Sequence, residues 1–310
     1  MDSSPLWFVT SFYRFVPVDR DRILGIRATL KDWMSQRSMR GLVLIAPEGV
    51  NGTVSGSQSD ISEFKDFVQD LVQTHDIRFK DATTPVRPFH RLSVDAREEI
   101  VGLKRPDLVP LETQDHHLTP AEWHEWMTSD REKLVIDTRN TYETMAGKFK
   151  GAVDPGLKTF AEWSTYLDTA QISKDVPVLM YCTGGIRCEK AILEMRTRGF
   201  DQVYQLRDGI LGYLAEFPDG EFEGECFVFD DRVTVGPDLQ PTGNFGICPG
   251  CGLTASKVVS CEWCGNSFFH CQDCETKRPS VCCKTCLDRW QHRGPGREIA
   301  QEHAGSQQTG

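Results

Sequence analysis

The chain has 310 residues, 39% hydrophobic and 26% charged, with 17 Phe and 7 Trp, which excludes a wholly disordered or fibrous protein and leaves length for a sizeable core with a smaller module beside it. The net charge of −10 is uneven: residues 1–105 and 241–310 each carry +1, while residues 106–240 carry −12, so a nucleic-acid partner would be held at the ends or on a local basic face. No apolar run approaches the ~20 residues that span a bilayer, and the start MDSSPLWFVT lacks the basic and apolar parts of a signal peptide, so the expected compartment is the cytosol.

In chain order, residues 1–105 alternate strands and helices. Leu6–Val18 is aromatic and strand-like, and Arg20–Gln36 carries helical spacing at Ile23, Ile26, Leu30 and Trp33. Gly41–Ala46 predicts a short buried strand. A turn over Glu48–Thr53 follows, because Asn51-Gly52 is a hairpin signal, and Thr53–Ser55 is the return strand. Ser59 is placed to cap a helix running to Gln73, and strands are expected at Ile77–Lys80 and Leu92–Ile100. This βαββαβ order predicts a ferredoxin-like α+β domain. Residues 106–118, polar and holding Pro106 and Pro110, read as a linker.

Thr119-Pro120-Ala121-Glu122 has the cap, N1 proline and N3 glutamate of a helix start. Strands at Lys133–Ile136, Val176–Tyr181 and Val203–Leu206 alternate with helices at Phe160–Leu167, Glu189–Arg198 and Ile210–Glu216. Over residues 119–240 this implies an α/β doubly wound parallel sheet. Residues 241–293 lose periodicity and gain cysteines, and 294–310 read as a disordered tail.

The most informative stretch runs from Val178 into Cys182-Thr183-Gly184-Gly185-Ile186-Arg187-Cys188-Glu189. Cys182 falls where a buried parallel strand ends, the usual place for a site in an open α/β sheet. Gly184 and Gly185 let successive N–H groups point inward, a helix N-terminus follows, and Arg187 adds a fixed charge. Together these stabilise a thiolate. The competing reading is an inert buried cysteine. Cys188 reads as packing, with a resolving thiol as its alternative, and Cys226 as structural.

A strand followed by Cys-x-Gly-Gly-x-Arg and a helix resembles the active-site loop of a rhodanese domain, and Val135-Ile136-Asp137-Thr138-Arg139, Tyr142-Glu143 and Gly147-x-x-x-Gly151-Ala152-Val153 precede it in order. The resemblance implies that Asp137 and Arg139 brace the loop and that Cys182 can carry a persulfide. Three motifs together are similar to the rhodanese-related tRNA uridine hydroxylase family: Glu48–Thr53, Cys182–Lys190, and Gly224-Glu225-Cys226-Phe227-Val228-Phe229-Asp230-Asp231-Arg232-Val233. That resemblance implies oxygen-dependent conversion of a tRNA wobble uridine to 5-hydroxyuridine, with molecular oxygen as co-substrate and Cys182 essential. A persulfide sulfurtransferase is the alternative activity, and a zinc-dependent adaptor the non-enzymatic one.

A thiolate adding at C6 of uridine would make C5 nucleophilic. The sequence shows no dinucleotide-binding glycine motif and no evident two-histidine, one-carboxylate pattern, since His116, His117 and His124 lie in or beside the linker and read as solvated. Glu48–Thr53 is expected at a site edge facing Cys182. Candidate tRNA contacts are Asn51 and the basic residues Arg78, Lys80, Arg87 and Arg91, with Phe79 and Phe89 interleaved for stacking on bases.

Of 12 cysteines, nine lie between Cys248 and Cys286, which in a cytosolic chain points to metal rather than disulfides. The pairs Cys248/Cys251, Cys261/Cys264, Cys271/Cys274 and Cys283/Cys286 supply eight thiolates for two closed, structural zinc sites, with Cys282 spare and His270 an alternative ligand. Sequential and interleaved pairing both fit this spacing. The module could serve tRNA or a protein partner.

Overall fold

A computed structural model describes residues 6–111 and 116–294, in two compact units, one ending at Pro241 and one beginning at Thr242. The expected disordered tail, beyond Gly294, lies outside the described residues.

The first unit opens with β1 (Trp7–Phe15), α1 (Arg20–Gln36), β2 (Arg40–Ala46), β3 (Gly49–Gly56), α2 (Gln58–Val72), β4 (Arg78–Thr84) and β5 (Leu92–Ala96). The strands form one sheet in the order β4-β1-β3-β2-β5. The first four make the ferredoxin-like arrangement, and β5 adds a parallel edge beside β2. Both helices pack on one face, where Phe12, Leu30, Val43, Phe64 and Val68 form a dry core. Burial of each such side chain contributes about 1.5–3 kcal/mol.

Two local readings are corrected here. The β2–β3 turn is Pro47-Glu48 alone, because Ala46 already pairs with Gly49. Asn51 and Gly52 therefore lie inside β3, opposite Tyr13 and Phe12, and the Asn-Gly signal is overridden by pairing on both sides. The α2 cap is Ser57 rather than Ser59: its hydroxyl accepts from the Asp60 N–H at 3.1 Å.

The remainder of this unit contains β6 (His117–Leu118), α3 (Pro120–Thr128), β7 (Leu134–Asp137), α4 (Thr141–Thr144), β8 (Gly147–Phe149), α5 (Trp163–Thr169), β9 (Val178–Tyr181), α6 (Ile186–Thr197), β10 (Val203–Leu206), α7 (Gly209–Glu216) and β11 (Phe222–Gly224). A parallel sheet runs β6-β10-β9-β7, the rhodanese-like arrangement. Alternate residues of β9 feed two cores: Val178 and Met180 meet Trp163 and Ile192 on one face, while Leu179 and Tyr181 meet Trp123 and Phe149 on the other. Thr119 and Glu122 form the expected capping box of α3. The stretch read as a linker does not end free: its last two residues are β6, drawn in by pairing with β10.

In the second unit, Gly246–Ile247 pairs with Thr254–Ala255 and Val258–Ser260 with Ser267–Phe269, followed by α8 (Gln272–Lys277) and α9 (Lys284–Arg293). Its apolar clusters are small and built largely around cysteines, with Phe269 in one and Val281, Trp263, Phe268 and Trp290 in the other. No helix among the described residues is long and apolar enough to cross a membrane.

Candidate active site

Strand β9 ends at Tyr181, and the loop Cys182–Gly185 turns into α6. The Gly185 N–H donates to the Cys182 sulfur at 3.0 Å. Gly185 has φ of +101°, and a Cβ there would meet the Tyr13 hydroxyl at 2.9 Å, so the position takes glycine on both counts. The N-terminus of α7 holds the loop from beneath: the Ile210 and Leu211 N–H groups donate to the carbonyls of Cys182 and Thr183 at 3.0 and 3.2 Å. A Cβ on Gly209 would lie 2.4 Å from the Cys182 carbonyl oxygen. No sequence signal pointed to Gly209.

Burial opposes charge on Cys182. The Cys188 thiol, the Arg187 guanidinium and the N–H groups of Arg187 and Gly185 outweigh it, holding the Cys182 thiol well below its ordinary range. Burial and the adjacent Cys182 sulfur push the Cys188 thiol well above its own range. The negative charge of the pair therefore resides on Cys182. Cys188 is fully buried with its sulfur 3.4 Å from the Thr138 hydroxyl. Cys226 is likewise buried, and burial pushes its thiol up to about 12.

Arg187 is held by a residue that sequence reasoning left without a role. Its two terminal nitrogens donate to both carboxylate oxygens of Glu143 at 2.6 and 2.7 Å, with Glu143 fully buried. This fork fixes the plane of the guanidinium. Asp137 and Arg139 form a second, fully buried pair (2.6 Å at its shortest), and Arg139 also donates to the Gly147 carbonyl. Arg139 also reaches the Glu143 carbonyl at 3.5 Å. The signal for Glu143 was its place in the stretch after Asp137-x-Arg139; its partner becomes visible only in three dimensions.

Cys182 borders a cavity of about 340 Å³. The ferredoxin-like sheet supplies Ser11, Asn51 and Thr53, the Cys182 loop supplies Gly184, Ile186 and Arg187, and the third sequence motif supplies Val228, Phe229 and Arg232. All three motifs thus meet at one place, and the expectation that Glu48–Thr53 faces Cys182 agrees with this lining. Glu48 itself lies behind, where Lys190, fully buried, pairs with Glu48 and Glu99 at 2.6 Å each. Burial raises the Glu48 carboxyl despite Lys190.

The candidate tRNA contacts separate into groups. Asn51 and Lys80 border the Cys182 cavity. The Asn51 amide donates to the Ile100 carbonyl at 3.0 Å, and Lys80 lies over the Tyr13 ring, 3.3 Å from Asp208. Arg78 borders a neighbouring cavity. Arg87 and Arg91 are exposed and line neither. Phe89 lines the Cys182 cavity, but Phe79 packs against Phe12 (5.4 Å between ring centres) in the core and is withdrawn as a base-stacking candidate. The aromatic that sequence reasoning missed is Phe229, 55% exposed at the cavity.

The histidines are also corrected. His116 and His117, expected in solvent, are buried because β6 joins the sheet. His124 is half-buried, its Nδ1 2.8 Å from the Tyr213 hydroxyl and its ring stacked on Phe217.

In the second unit, Cys248, Cys251, Cys271 and Cys274 bring their sulfurs within 4.8 Å of one another, and Cys261, Cys264, Cys282 and Cys286 do the same. Each set of four converging thiols could hold one metal ion, and the pairing is interleaved. The expected Cys283/Cys286 pair is corrected: Cys282 belongs to the second group, and Cys283 is exposed. The cause is the start of α9 at Lys284. Cys283 takes the cap position, its sulfur accepting from the Cys286 N–H at 3.5 Å, and this leaves Cys282 and Cys286, four apart, to converge. His270 is buried with Nδ1 3.2 Å from the Ser280 hydroxyl, outside both groups.

Comparison with known proteins gives three matches in chain order. Residues 7–100 match the UPF0176 acylphosphatase-like domain, residues 119–216 the rhodanese-like domain, and residues 223–287 the rhodanase C-terminal family. Over 289 residues the chain is 40% identical to a tRNA uridine(34) hydroxylase of Bdellovibrio bacteriovorus, covering 92% of this chain and 82% of that protein. It is 36% identical to the protein of the same name from Rhizobium leguminosarum, covering 97% of each. The protein of that name from Mesorhizobium japonicum is 40% identical, over 86% of this chain and 87% of the relative.

Proposed function

The chain belongs to the tRNA uridine(34) hydroxylase family, and on that premise we propose that it hydroxylates C5 of the tRNA wobble uridine, with Cys182 as the reacting group. One observation carries the assignment of chemistry to residues: a thiolate stabilised by backbone amides and a fixed guanidinium borders a cavity large enough for one everted base.

The uracil enters between Phe89 and Phe229, with Ser11, Asn51 and Thr53 placed for its polar edge. The Cys182 thiolate adds to C6. The π electrons of the C5–C6 bond move toward C5 and O4. C5, now electron-rich, attacks dioxygen to form a C5–O–O bond; two electrons from an external reductant and protons from solvent then cleave the O–O bond, leaving a hydroxyl on C5 and the second oxygen as water. Loss of the C5 proton then expels the thiolate and restores the double bond. Arg187, locked by Glu143, holds the resting anion, and the Asp137–Arg139 pair supports Glu143. Lys80 and Arg78 beside the cavities, with Arg87 and Arg91 on the exposed surface, contact the tRNA backbone. These contacts make affinity fall with salt.

The two Cys₄ groups hold zinc, whose contribution is folding of the second unit rather than chemistry, since four thiolates leave no open position. That unit is available to a protein partner, and the site of action is the cytoplasm, where the tRNA is.

The test is mass spectrometry of tRNA nucleosides from cells lacking the gene, complemented with wild type or with Cys182→Ser. Rescue of 5-hydroxyuridine-derived nucleosides by wild type alone is the expected result. Hydroxylated nucleosides that stay constant across all strains would overturn it and shift Cys182 to persulfide transfer, for which the same amide cradle is suited.

A further inference from the structure

We propose that His116, His117 and Glu189 form a third metal site, for a divalent first-row transition ion held by nitrogen and oxygen. It is separate from both cysteine groups and stands whether or not the chain acts on uridine.

The three residues are 8, 9 and 6% exposed, and one donor atom from each lies within 4.8 Å of the others. Histidines at adjacent positions of a strand would point to opposite faces. Here His116 precedes β6, and the two rings fall on the same side, stacked 4.9 Å apart at 23°. Glu189 comes from the first turn of α6, just after the Cys182 loop. The donors are therefore distant in sequence and converge only in the fold.

The polar groups around His117 converge on one buried point. Its Nε2 lies 3.0 Å from Glu189 Oε1 and also faces the side-chain amide nitrogen of Gln205. Gln205 is fully buried, and its Oε1 has no hydrogen-bond partner. A metal ion between the groups would gather these donors. The Nε2 lone pair and the carboxylate then face one positive centre, and a half-turn of the Gln205 amide offers Oε1 as a fourth donor.

The surroundings fit ligation. The Tyr13 hydroxyl donates to Glu189 Oε1 at 2.9 Å, the kind of outer hydrogen bond that orients a ligating carboxylate. The Gln205 N–H donates to the His116 carbonyl at 2.9 Å, and Gln205 pairs with His117 in the β6–β10 register, so the backbone fixes these residues together. A cavity of about 290 Å³ that includes His117, Glu189 and Arg207 in its lining provides an entry path. Two imidazoles with a carboxylate select zinc, iron, cobalt or nickel over magnesium and calcium.

The experiment strips the full-length protein of metal under reducing conditions and titrates it with Co²⁺ alone, reading metal content and absorption. Three bound equivalents in total are expected, the third without the intense sulfur-to-cobalt band of a cysteine site. His116→Ala and Glu189→Gln should each weaken that third equivalent by at least tenfold and leave the first two in place. Wild-type protein that stops at two equivalents would overturn the proposal, and this result needs no variant to fold. A third equivalent that keeps its affinity in both variants would overturn it too, because the ion would lie elsewhere.

Discussion

The molecule contains two thiolate-rich regions that solve opposite problems. Around Cys182, one negative sulfur is held inside a well-packed α/β core by amide groups and a guanidinium that the core itself positions. In the second unit, eight sulfurs converge in two sets where there is little core, an arrangement that could hold two metal ions. In the first, packing positions the sulfur; in the second, the sulfurs stand where packing is thin, as the ligands of a metal would. A single buried charge is sustainable when the surrounding fold is stable without it, and a cluster of charges is sustainable only as ligands.

Metal removal should separate the two regions most sharply. Chelation is expected to unfold residues 242–294 while the unit ending at Pro241 keeps its hydrogen-exchange protection, since structural zinc contributes about 10–16 kcal/mol of apparent binding energy in small zinc-finger peptides. Simultaneous loss of protection in both units would break the comparison.

Glu143→Gln should be the costliest change on the Cys182 side short of the sulfur itself. Leaving the Arg187 charge buried and unpaired costs about 3–5 kcal/mol, measurable as a fall in denaturant midpoint with unchanged zinc content.

The Cys182 sulfur should also reveal its charge kinetically. A depressed thiol is ionised above its lowered pKa, so alkylation by iodoacetamide should rise through a pH below the ordinary thiol range and then level off. Arg187→Met should move that rise to higher pH by removing the favourable charge. A rise at the ordinary thiol pH in wild type would mean that burial dominates.

The smallest effect distinguishes ligands within the second region. Cys283→Ser should keep both metal equivalents and cost less than about 1 kcal/mol through its cap, whereas Cys282→Ser should lose one equivalent.

Much of this was legible in the residues. The α1 and β10 boundaries, the Thr119 capping box and the parallel βα alternation follow from local periodicity and caps, which depend on neighbours in the chain. The reactive loop was readable because its amides, glycines and helix start are contiguous. What failed did so for one reason. Asn51-Gly52 signals a turn until strands pair on both sides of it. His116 and His117 look solvated until β6 completes a sheet edge. Cys282 looks spare until the start of α9 turns its sulfur toward Cys286.

The sequence by itself determined that a cysteine followed by two glycines and a helix start would sit at a strand end, that a ferredoxin-like domain would precede a parallel sheet, and that the C-terminal cysteines would come in pairs spaced for metal. Each of these rests on residues a few positions apart. Only the tertiary structure decided that Glu143 locks Arg187, that Gly209 underlies the Cys182 carbonyl, that Phe229 and Ser11 share one cavity, and that the two cysteine groups interleave. Those relations join positions up to about two hundred residues apart. No local preference encodes them, because they are set by which surfaces bury together.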